Sequence, residues 1–256
     1  MGDASDSVPD YVIVGRGRWA TRMHTVLEQL GRQVTAMGTS PRRQTDTEAD
    51  DRYEMRMAES LEASGAAVAW LCVAPGPHVA PLVRAALLAG MHVLAEKPWP
   101  CTEDETVALS ALARQAGRAT GVHFEYCLLD EIQQWRDQLH AGAGLDFGGR
   151  FMTPVADRMG VPADDNLGCH LRAIHQYAVP EAHVAEITCA YERPAERLVW
   201  VGAPGRPRQE VDFLTQTQPI IQRFVALFEA HLGSAERAAA FPFDMAFALR
   251  TARPAR

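Results

Sequence analysis

Residues 11–20 read YVIVGRGRWA, an apolar run followed directly by a glycine-rich turn and the start of an amphipathic segment. Four apolar residues in a row predict a strand that is buried on both faces, as in a parallel sheet. Apolar side chains then recur at helical intervals from Trp19 to Leu30, and Gly31 stands where a helix would end. The order of strand, glycine turn and helix is typical of a dinucleotide-binding unit.

The turn GRGRWA, residues 15–20, has the pattern G-x-G-x-x-A. Gly15 permits the tight turn, Gly17 lets backbone N–H groups approach a pyrophosphate, and Ala20 lets the helix pack close to the strand. The helix N-terminus attracts phosphate, and Arg16 or Arg18 adds a formal positive charge. A turn that serves packing alone is the alternative. We predict cofactor contacts along Gly15, Arg16, Gly17, Arg18, Trp19 and Ala20.

The second predicted strand covers residues 33–37, and the residues that follow it indicate which dinucleotide would bind. An acidic residue there would bind the ribose 2′-OH of NAD, whereas this chain has Thr39, Ser40, Arg42 and Arg43. Hydroxyl and guanidinium groups accept a 2′-phosphate, which a carboxylate would repel. The sequence therefore predicts NADP(H) in preference to NAD(H), unless the two arginines only line a solvated loop.

Strands and helices continue to alternate up to residue 126, with further strands predicted at 66–73, 92–95 and 120–126. This pattern predicts an α/β fold, a Rossmann doubly wound parallel sheet over residues 11–126, after a disordered tail at 1–10. Strand candidates then follow with few helices between them, at 150–155, 183–191, 198–201 and 210–214. We expect residues 127–256 to form a smaller α+β domain with a mostly antiparallel sheet.

Composition excludes several classes of partner. The 25 Lys and Arg against 32 Asp and Glu give a net charge of −7, which disfavours nucleic acid and anionic membranes. The longest apolar run, 66–74, is far shorter than the roughly 20 residues of a membrane span. The five cysteines form no CxxC pair, so a reducing, cytoplasmic compartment is expected. The histidine spacing predicts no metal site.

Two further segments, VAPGPH at 73–78 and ALLAGMHVLAEKP at 86–98, resemble the Gfo/Idh/MocA oxidoreductases. In that family the fourth strand ends in Glu-Lys-Pro after an A-G-x-H-V run, and the third strand ends in T-P-N-x-x-H. The resemblance is strong over residues 11–126 and thin beyond them. It implies a short member of the family with a reduced C-terminal domain, in which Ala74, Pro75 and His78 contact the cofactor.

The resemblance also implies that Lys97 is a catalytic residue. Lys97 follows the fourth strand, at the edge of the sheet where α/β proteins bind their ligands, and there it can polarise a substrate oxygen or nitrogen. In the family the following peptide bond, here Lys97–Pro98, is a cis turn. Glu96 would contact the cofactor or Lys97. A surface lysine at a strand end is the alternative.

The family's second domain carries a helix of the form D-x-G-x-H-x-x-D, and NLGCHLRA at 166–173 matches its spacing. His170 is kept and can exchange a proton, whereas Asn166 can orient a hydroxyl but cannot act as a base. Ala173 replaces the last acid. His123 and Tyr126 fall in a region that borders the substrate in the family, and Tyr126 is a second candidate proton donor. Structural roles for these residues are the alternative.

Together the residues imply an NADP(H)-dependent oxidoreductase acting on a small molecule. The hydride would pass between nicotinamide and a carbonyl or hydroxyl carbon, sugar- or cyclitol-like, or an imine carbon. The loss of both acids favours the reductive direction, because oxidation of an alcohol needs a nearby base. Two alternatives stay open, a catalytically silent NADP-binding regulatory or scaffold protein and a non-redox enzyme that uses bound cofactor. A homodimer is also left open.

Overall fold

The computed structural model describes residues 8–37, 50–139, 144–154 and 160–252. They form two compact units. Of the described residues, the first unit contains those up to His123 and those of Val225–Leu249, and the second contains those of Phe124–Phe224 and those from Arg250 onward. The segment Val225–Leu249 therefore returns to the first unit, whereas the sequence had indicated a single boundary at residue 126.

The first unit is built on a five-stranded parallel sheet. Its strands are β1 (Tyr11–Val14), β2 (Val34–Met37), β3 (Val68–Leu71), β4 (His92–Ala95) and β5 (Thr120–Val122). They lie in the order β2-β1-β3-β4-β5. Every residue of the three central strands is buried, which explains the unbroken apolar runs of β1 and β3. This sheet confirms the predicted Rossmann-like fold.

Within the described residues, these strands are connected by the helices α1 (Arg18–Gln29), α2 (Asp50–Glu62), α3 (Val79–Leu88) and α4 (Glu103–Ala116). The helix α4 begins with a capping box, in which Thr102 Oγ1 accepts from the Glu105 N–H at 3.3 Å and the Glu105 carboxylate accepts from the Thr102 N–H at 2.8 Å. The fifth strand is shorter than predicted. It ends at Val122, and a 3-10 turn at Glu125–Leu128 follows.

The second unit contains a four-stranded mixed sheet, preceded by the helix α5 (Asp130–Leu139). Its strands are β6 (Asp146–Met152), β7 (His183–Ala190), β8 (Glu196–Gly202) and β9 (Gln209–Asp212), and they lie in the order β7-β6-β8-β9. Two of the strand pairs, β6–β8 and β8–β9, are antiparallel, in agreement with the predicted α+β unit, while β6 and β7 are parallel. A parallel pair needs a crossover, and its described residues include the helices α6 (Ala163–Asn166) and α7 (Gly168–Ala178).

A partly buried ion pair holds the returning segment in the first unit. Glu229, at the end of α8 (Ile220–Glu229), accepts hydrogen bonds from Arg32 Nε at 2.8 Å and Arg32 Nη2 at 2.7 Å. The Tyr11 hydroxyl donates to the same carboxylate at 2.9 Å, and burial raises the pKa of Tyr11 well above its usual value. The last described residues contain the helices α9 (Ala235–Ala239) and α10 (Met245–Ala252).

The histidine at the start of β4 makes the stability of the first unit depend on pH. His92 is buried, and its Nδ1 accepts a hydrogen bond from the Ala119 N–H at 2.9 Å. Burial, with a smaller effect of the Arg118 charge, lowers the pKa of His92 to about 4. An unfolded histidine takes up its proton near pH 6.5, so between these two values the unfolded state binds more protons.

The stabilisation from neutral His92 is therefore complete above about pH 6.5 and is lost as the pH falls toward 4. We expect His92→Phe, which cannot titrate, to lose less free energy of unfolding than the wild type between pH 7 and pH 4.5. The expected difference is about 2 kcal/mol. Urea denaturation at the two pH values measures it, with the exposed His183→Phe as the control. Equal pH dependence in wild type and His92→Phe would contradict this account.

Candidate active site

The predicted phosphate turn joins β1 to α1, and its two glycines have different environments. Gly15 has a φ of +137°, and a Cβ placed on it would lie 2.3 Å from the Cys72 carbonyl oxygen, so only glycine fits. A Cβ on Gly17 would meet nothing within 4 Å. Gly17 is the N-cap of α1, with no side-chain cap and no acidic residue in the first turn. The first N–H groups of α1 are thus available to a pyrophosphate.

An unpaired donor lies beside this turn. The indole Nε1 of Trp19 is buried and has no hydrogen-bond partner among the described residues. The Trp19 ring packs against His123 with a centroid distance of 6.0 Å, and the Arg22 guanidinium lies 5.1 Å from the Trp19 ring centroid. Buried indole N–H groups are normally paired. The open turn and the unpaired donor both fit a bound dinucleotide.

The other predicted cofactor residues of the first unit fall into two groups. Thr39, Ser40, Arg42 and Arg43 lie outside the described residues, so the preference for NADP(H) stays a prediction. The loop 74–78 follows β3, and a Cβ on Gly76 would lie 3.0 Å from the His78 ring. Burial lowers the pKa of His78, so its ring is neutral at pH 7.

The strand β4 ends in the Glu-Lys-Pro motif, and the Lys97–Pro98 peptide bond is cis, as the resemblance implied. The Glu96 Oε1 accepts a hydrogen bond from Trp70 Nε1 at 2.9 Å and lies 3.3 Å from His123 Nδ1. The His123 side chain is fully buried, and the Trp70 ring meets it edge-on at 5.2 Å. The structure thus brings Glu96 and His123 together, a pairing that the sequence did not predict.

In the second unit the two predicted proton donors are neighbours. The ring centroids of Tyr126 and His170 lie 4.8 Å apart, and Phe151 and Phe213 pack against the Tyr126 ring. The Tyr126 hydroxyl oxygen accepts a hydrogen bond from Arg197 Nη1 at 2.5 Å. A cation, a phenol and an imidazole therefore form one aromatic-walled cluster.

The predicted substrate contact Asn166 has a partner in its own unit. Its Nδ2 donates to the Tyr191 hydroxyl at 3.1 Å, and that hydroxyl donates to the Val161 carbonyl oxygen at 2.7 Å. These bonds fix the end of α6 just before α7, on which His170 lies. Asn166 therefore orients the chain that leads to His170.

Sequence reasoning missed Arg197 and Trp70. A signal for Arg197 was present, because Arg197, Val199 and Val201 lie two residues apart and so share one face of β8. In the sheet they pair with Phe151, Gly149 and Phe147 of β6. A cation on an otherwise apolar strand face indicates a specific partner. Trp70 gave no such indication, since an indole within an apolar run has the pattern of an ordinary core residue.

The described residues contain no group of three or more His, Cys, Asp or Glu side chains placed to hold a metal ion. Within the same part of the chain, no helix combines the length and apolar character that crossing a membrane requires.

Residues 10–124 match the model of the Gfo/Idh/MocA oxidoreductase family, which describes an NAD-binding Rossmann fold. This match confirms the predicted resemblance to these oxidoreductases, and with it the predicted enzyme class, over the dinucleotide-binding part of the chain. No curated protein matches the sequence.

Several solved structures share the fold. The UDP-N-acetylglucosamine 3-dehydrogenase GnnA of Acidithiobacillus ferrooxidans has a TM-score of 0.71 at 14% identity, over 95% of this chain and 94% of that one. The WlbA dehydrogenase of Thermus thermophilus, solved with NAD and UDP-GlcNAcA, has a TM-score of 0.67 at 14% identity, over 96% and 95%. An inositol dehydrogenase homolog of Azotobacter vinelandii, solved with NAD+, has a TM-score of 0.66 at 13% identity, over 96% and 93%.

The open space in front of Gly17 gives a test of the phosphate turn. Gly17→Ala adds a methyl group where no protein atom lies within 4 Å, so the free energy of unfolding should stay within about 0.5 kcal/mol of wild type. The same methyl group would keep a pyrophosphate from approaching, and we expect dinucleotide affinity to fall at least about tenfold. Fluorescence titration with NADPH and urea denaturation measure the two effects. The control is Gly233→Ala, whose Cβ would meet only the end of the Arg237 side chain; equal NADPH affinity in both variants would contradict the assignment.

Proposed function

We propose that this oxidoreductase is an NADP(H)-dependent reductase of small, sugar- or cyclitol-like carbonyl compounds or of imines. When bound, the cofactor supplies the hydride, and the side chains of this chain polarise the substrate and deliver the proton. The observation that carries the proposal is the cluster of Tyr126, His170 and Arg197, which joins two proton-transfer groups to one cation.

The Arg197 contact suits Tyr126 to proton donation. A hydroxyl oxygen that accepts from a guanidinium directs its own O–H toward another acceptor. The guanidinium also stabilises the negative charge that develops on the oxygen as the proton leaves. The His170 ring packs against the same phenol at an interplanar angle of 56°, and imidazole is the side chain that exchanges protons most readily near neutral pH. We assign Tyr126 or His170 as the donor to the reduced substrate, with the other group supporting it.

Lys97 has the role of polarising the substrate in this proposal. An ammonium group that donates to a carbonyl oxygen or imine nitrogen draws electrons away from the carbon that receives the hydride. Lys97 directly follows Glu96, whose carboxylate is held by Trp70 and His123. The backbone that carries Lys97 is thereby anchored at the end of β4.

The reductive direction is supported by the residues at 166 and 173, where the family motif has acidic side chains and this chain does not. Asn166 and Ala173 cannot accept a proton from an alcohol, and the Asn166 amide donates to Tyr191. A sugar-like substrate is supported by two of the similar structures, a UDP-N-acetylglucosamine 3-dehydrogenase and WlbA with UDP-GlcNAcA. The preference for NADP(H) is supported by the arginines at 42 and 43.

The cofactor preference is tested by titrating wild type and Arg42→Ala/Arg43→Ala with NADPH and NADH. We expect wild type to bind NADPH at least about tenfold more tightly, roughly 1.4 kcal/mol, because the guanidinium groups pair with the 2′-phosphate. The double variant should lose this difference and keep its NADH affinity. Arg193→Ala/Arg206→Ala removes two exposed arginines of the second unit and should change neither value. Tighter NADH binding by wild type would contradict the preference.

The proton-donor assignment is tested with Tyr126→Phe, assayed with NADPH against a panel of keto sugars, keto cyclitols and imines. Removing a general acid should lower kcat by about 100-fold or more and leave the NADPH dissociation constant unchanged. Tyr177→Phe is a matched control, because the Tyr177 hydroxyl also accepts from an arginine, Arg136, in the same unit. Equal kcat in the two variants would refute the role of Tyr126. Tight NADPH binding without turnover of any compound in either direction would favour the silent NADP-binding protein.

A further inference from the structure

We infer that Trp70 and His123 are positioning residues for the dinucleotide, which they serve by fixing the Glu96 carboxylate. The inference rests on the proposed function, since it requires that a dinucleotide binds at the carboxyl edge of the parallel sheet. The family resemblance already implies that Glu96 contacts the cofactor; Trp70 and His123 would hold its carboxylate so that Oε2 faces the ribose hydroxyl groups on the nicotinamide side. His123, which the sequence placed against the substrate, instead acts through Glu96.

The contacts converge on one oxygen atom. Trp70 Nε1 and His123 Nδ1 lie 2.9 and 3.3 Å from Glu96 Oε1, and within the described part of the chain Oε2 accepts no hydrogen bond. Two partners on one oxygen fix the orientation of the carboxylate plane. They come from β3 and from the residue that follows β5, on the two sides of β4. The direction of Oε2 is therefore set by three neighbouring strands.

The position of this oxygen suits a ribose. In a doubly wound sheet the dinucleotide crosses the carboxyl ends of the strands, with its pyrophosphate at the first glycine turn. The phosphate turn follows β1, and the residues at 39–43 that would recognise the adenosine side follow β2. The other half of the cofactor then extends toward β3 and β4, where Glu96 lies. A carboxylate accepts hydrogen bonds from neighbouring hydroxyl groups, as the acidic residue of NAD-binding folds does at the adenosine ribose.

His123 also connects this carboxylate to the phosphate turn. Its ring packs on Trp19, whose indole N–H is unpaired among the described residues, and on Trp70. The Glu96 side chain is 9% exposed. Burying a carboxylate to that degree costs free energy unless the charge is paired. If Glu96 only accepted two hydrogen bonds within the protein, a neutral acceptor would serve as well. Trp99 shows that alternative, since its buried Nε1 donates to the neutral Thr106 hydroxyl at 2.9 Å.

The test compares Trp70→Phe with Trp99→Phe, two variants that each remove one buried indole hydrogen bond from the first unit. Both should lower the thermal midpoint. Only Trp70→Phe should weaken NADPH binding, by about tenfold, the usual effect of losing a hydrogen bond to a charged group. Neither variant should change the affinity for adenosine 2′,5′-bisphosphate, which lacks the nicotinamide ribose. Calorimetric titration measures both ligands.

A second pair of variants keeps the test decisive if Trp70→Phe does not fold. His123→Asn retains an N–H group near the place of Nδ1 and should restore most of the NADPH affinity that His123→Leu loses. Glu96→Gln should weaken NADPH binding as Trp70→Phe does, and the combined variant should show no further loss, because both act through one carboxylate.

The outcomes separate the two claims. If wild type binds NADPH but Trp70→Phe and His123→Leu bind it equally well, the positioning role is wrong and the proposed function stands. A matching loss of adenosine 2′,5′-bisphosphate affinity would also refute it, since the effect would then be general. If wild type binds neither NADPH nor NADH at millimolar concentration, the proposed function and this inference both fail.

Discussion

The arrangement of the first unit depends on the close approach of two backbone segments, the end of β1 and the residue that follows β3. The Cys72 N–H donates to the Val14 carbonyl oxygen at 2.9 Å, and directly afterwards a Cβ on Gly15 would collide with the Cys72 carbonyl oxygen. The chain can only turn away through glycine, with a positive φ. The turn leads into α1, whose N-terminus has no side-chain cap, and this helix end forms the predicted phosphate site.

The two units contribute different kinds of chemistry. The first offers backbone N–H groups, an indole N–H with no partner in the described part of the chain, and an anchored carboxylate, which are groups that can bind and orient a ligand. The second offers a phenol and an imidazole, which can transfer protons, and a guanidinium, which can stabilise the negative charge left on the phenol oxygen. Each set is held by contacts within its own unit, so a variant in one set should leave the other set in place.

Local sequence patterns predicted what depends on local physics. Unbroken apolar runs identified the central parallel strands, and Thr102 with Glu105 identified the start of α4. Long-range partners were beyond such reasoning. The return of the last helices depends on the bonds from Arg32 and Tyr11 to Glu229, which span 197 and 218 residues. The early end of β5 leaves His123 outside the strand, paired with Glu96, and the clustering of Tyr126 with His170 was visible only in three dimensions.

The central claim is that a dinucleotide binds against the phosphate turn beside Trp19. The most direct measurement is a 15N–1H correlation spectrum of the indole N–H groups during titration with NADPH. The chain has five tryptophans, and Trp19→Phe identifies the resonance of Trp19. At saturation the Trp19 resonance should shift as its N–H gains a partner, while that of Trp99, already bonded to Thr106, stays in place. A Trp19 resonance that does not move at saturating NADPH would contradict the account.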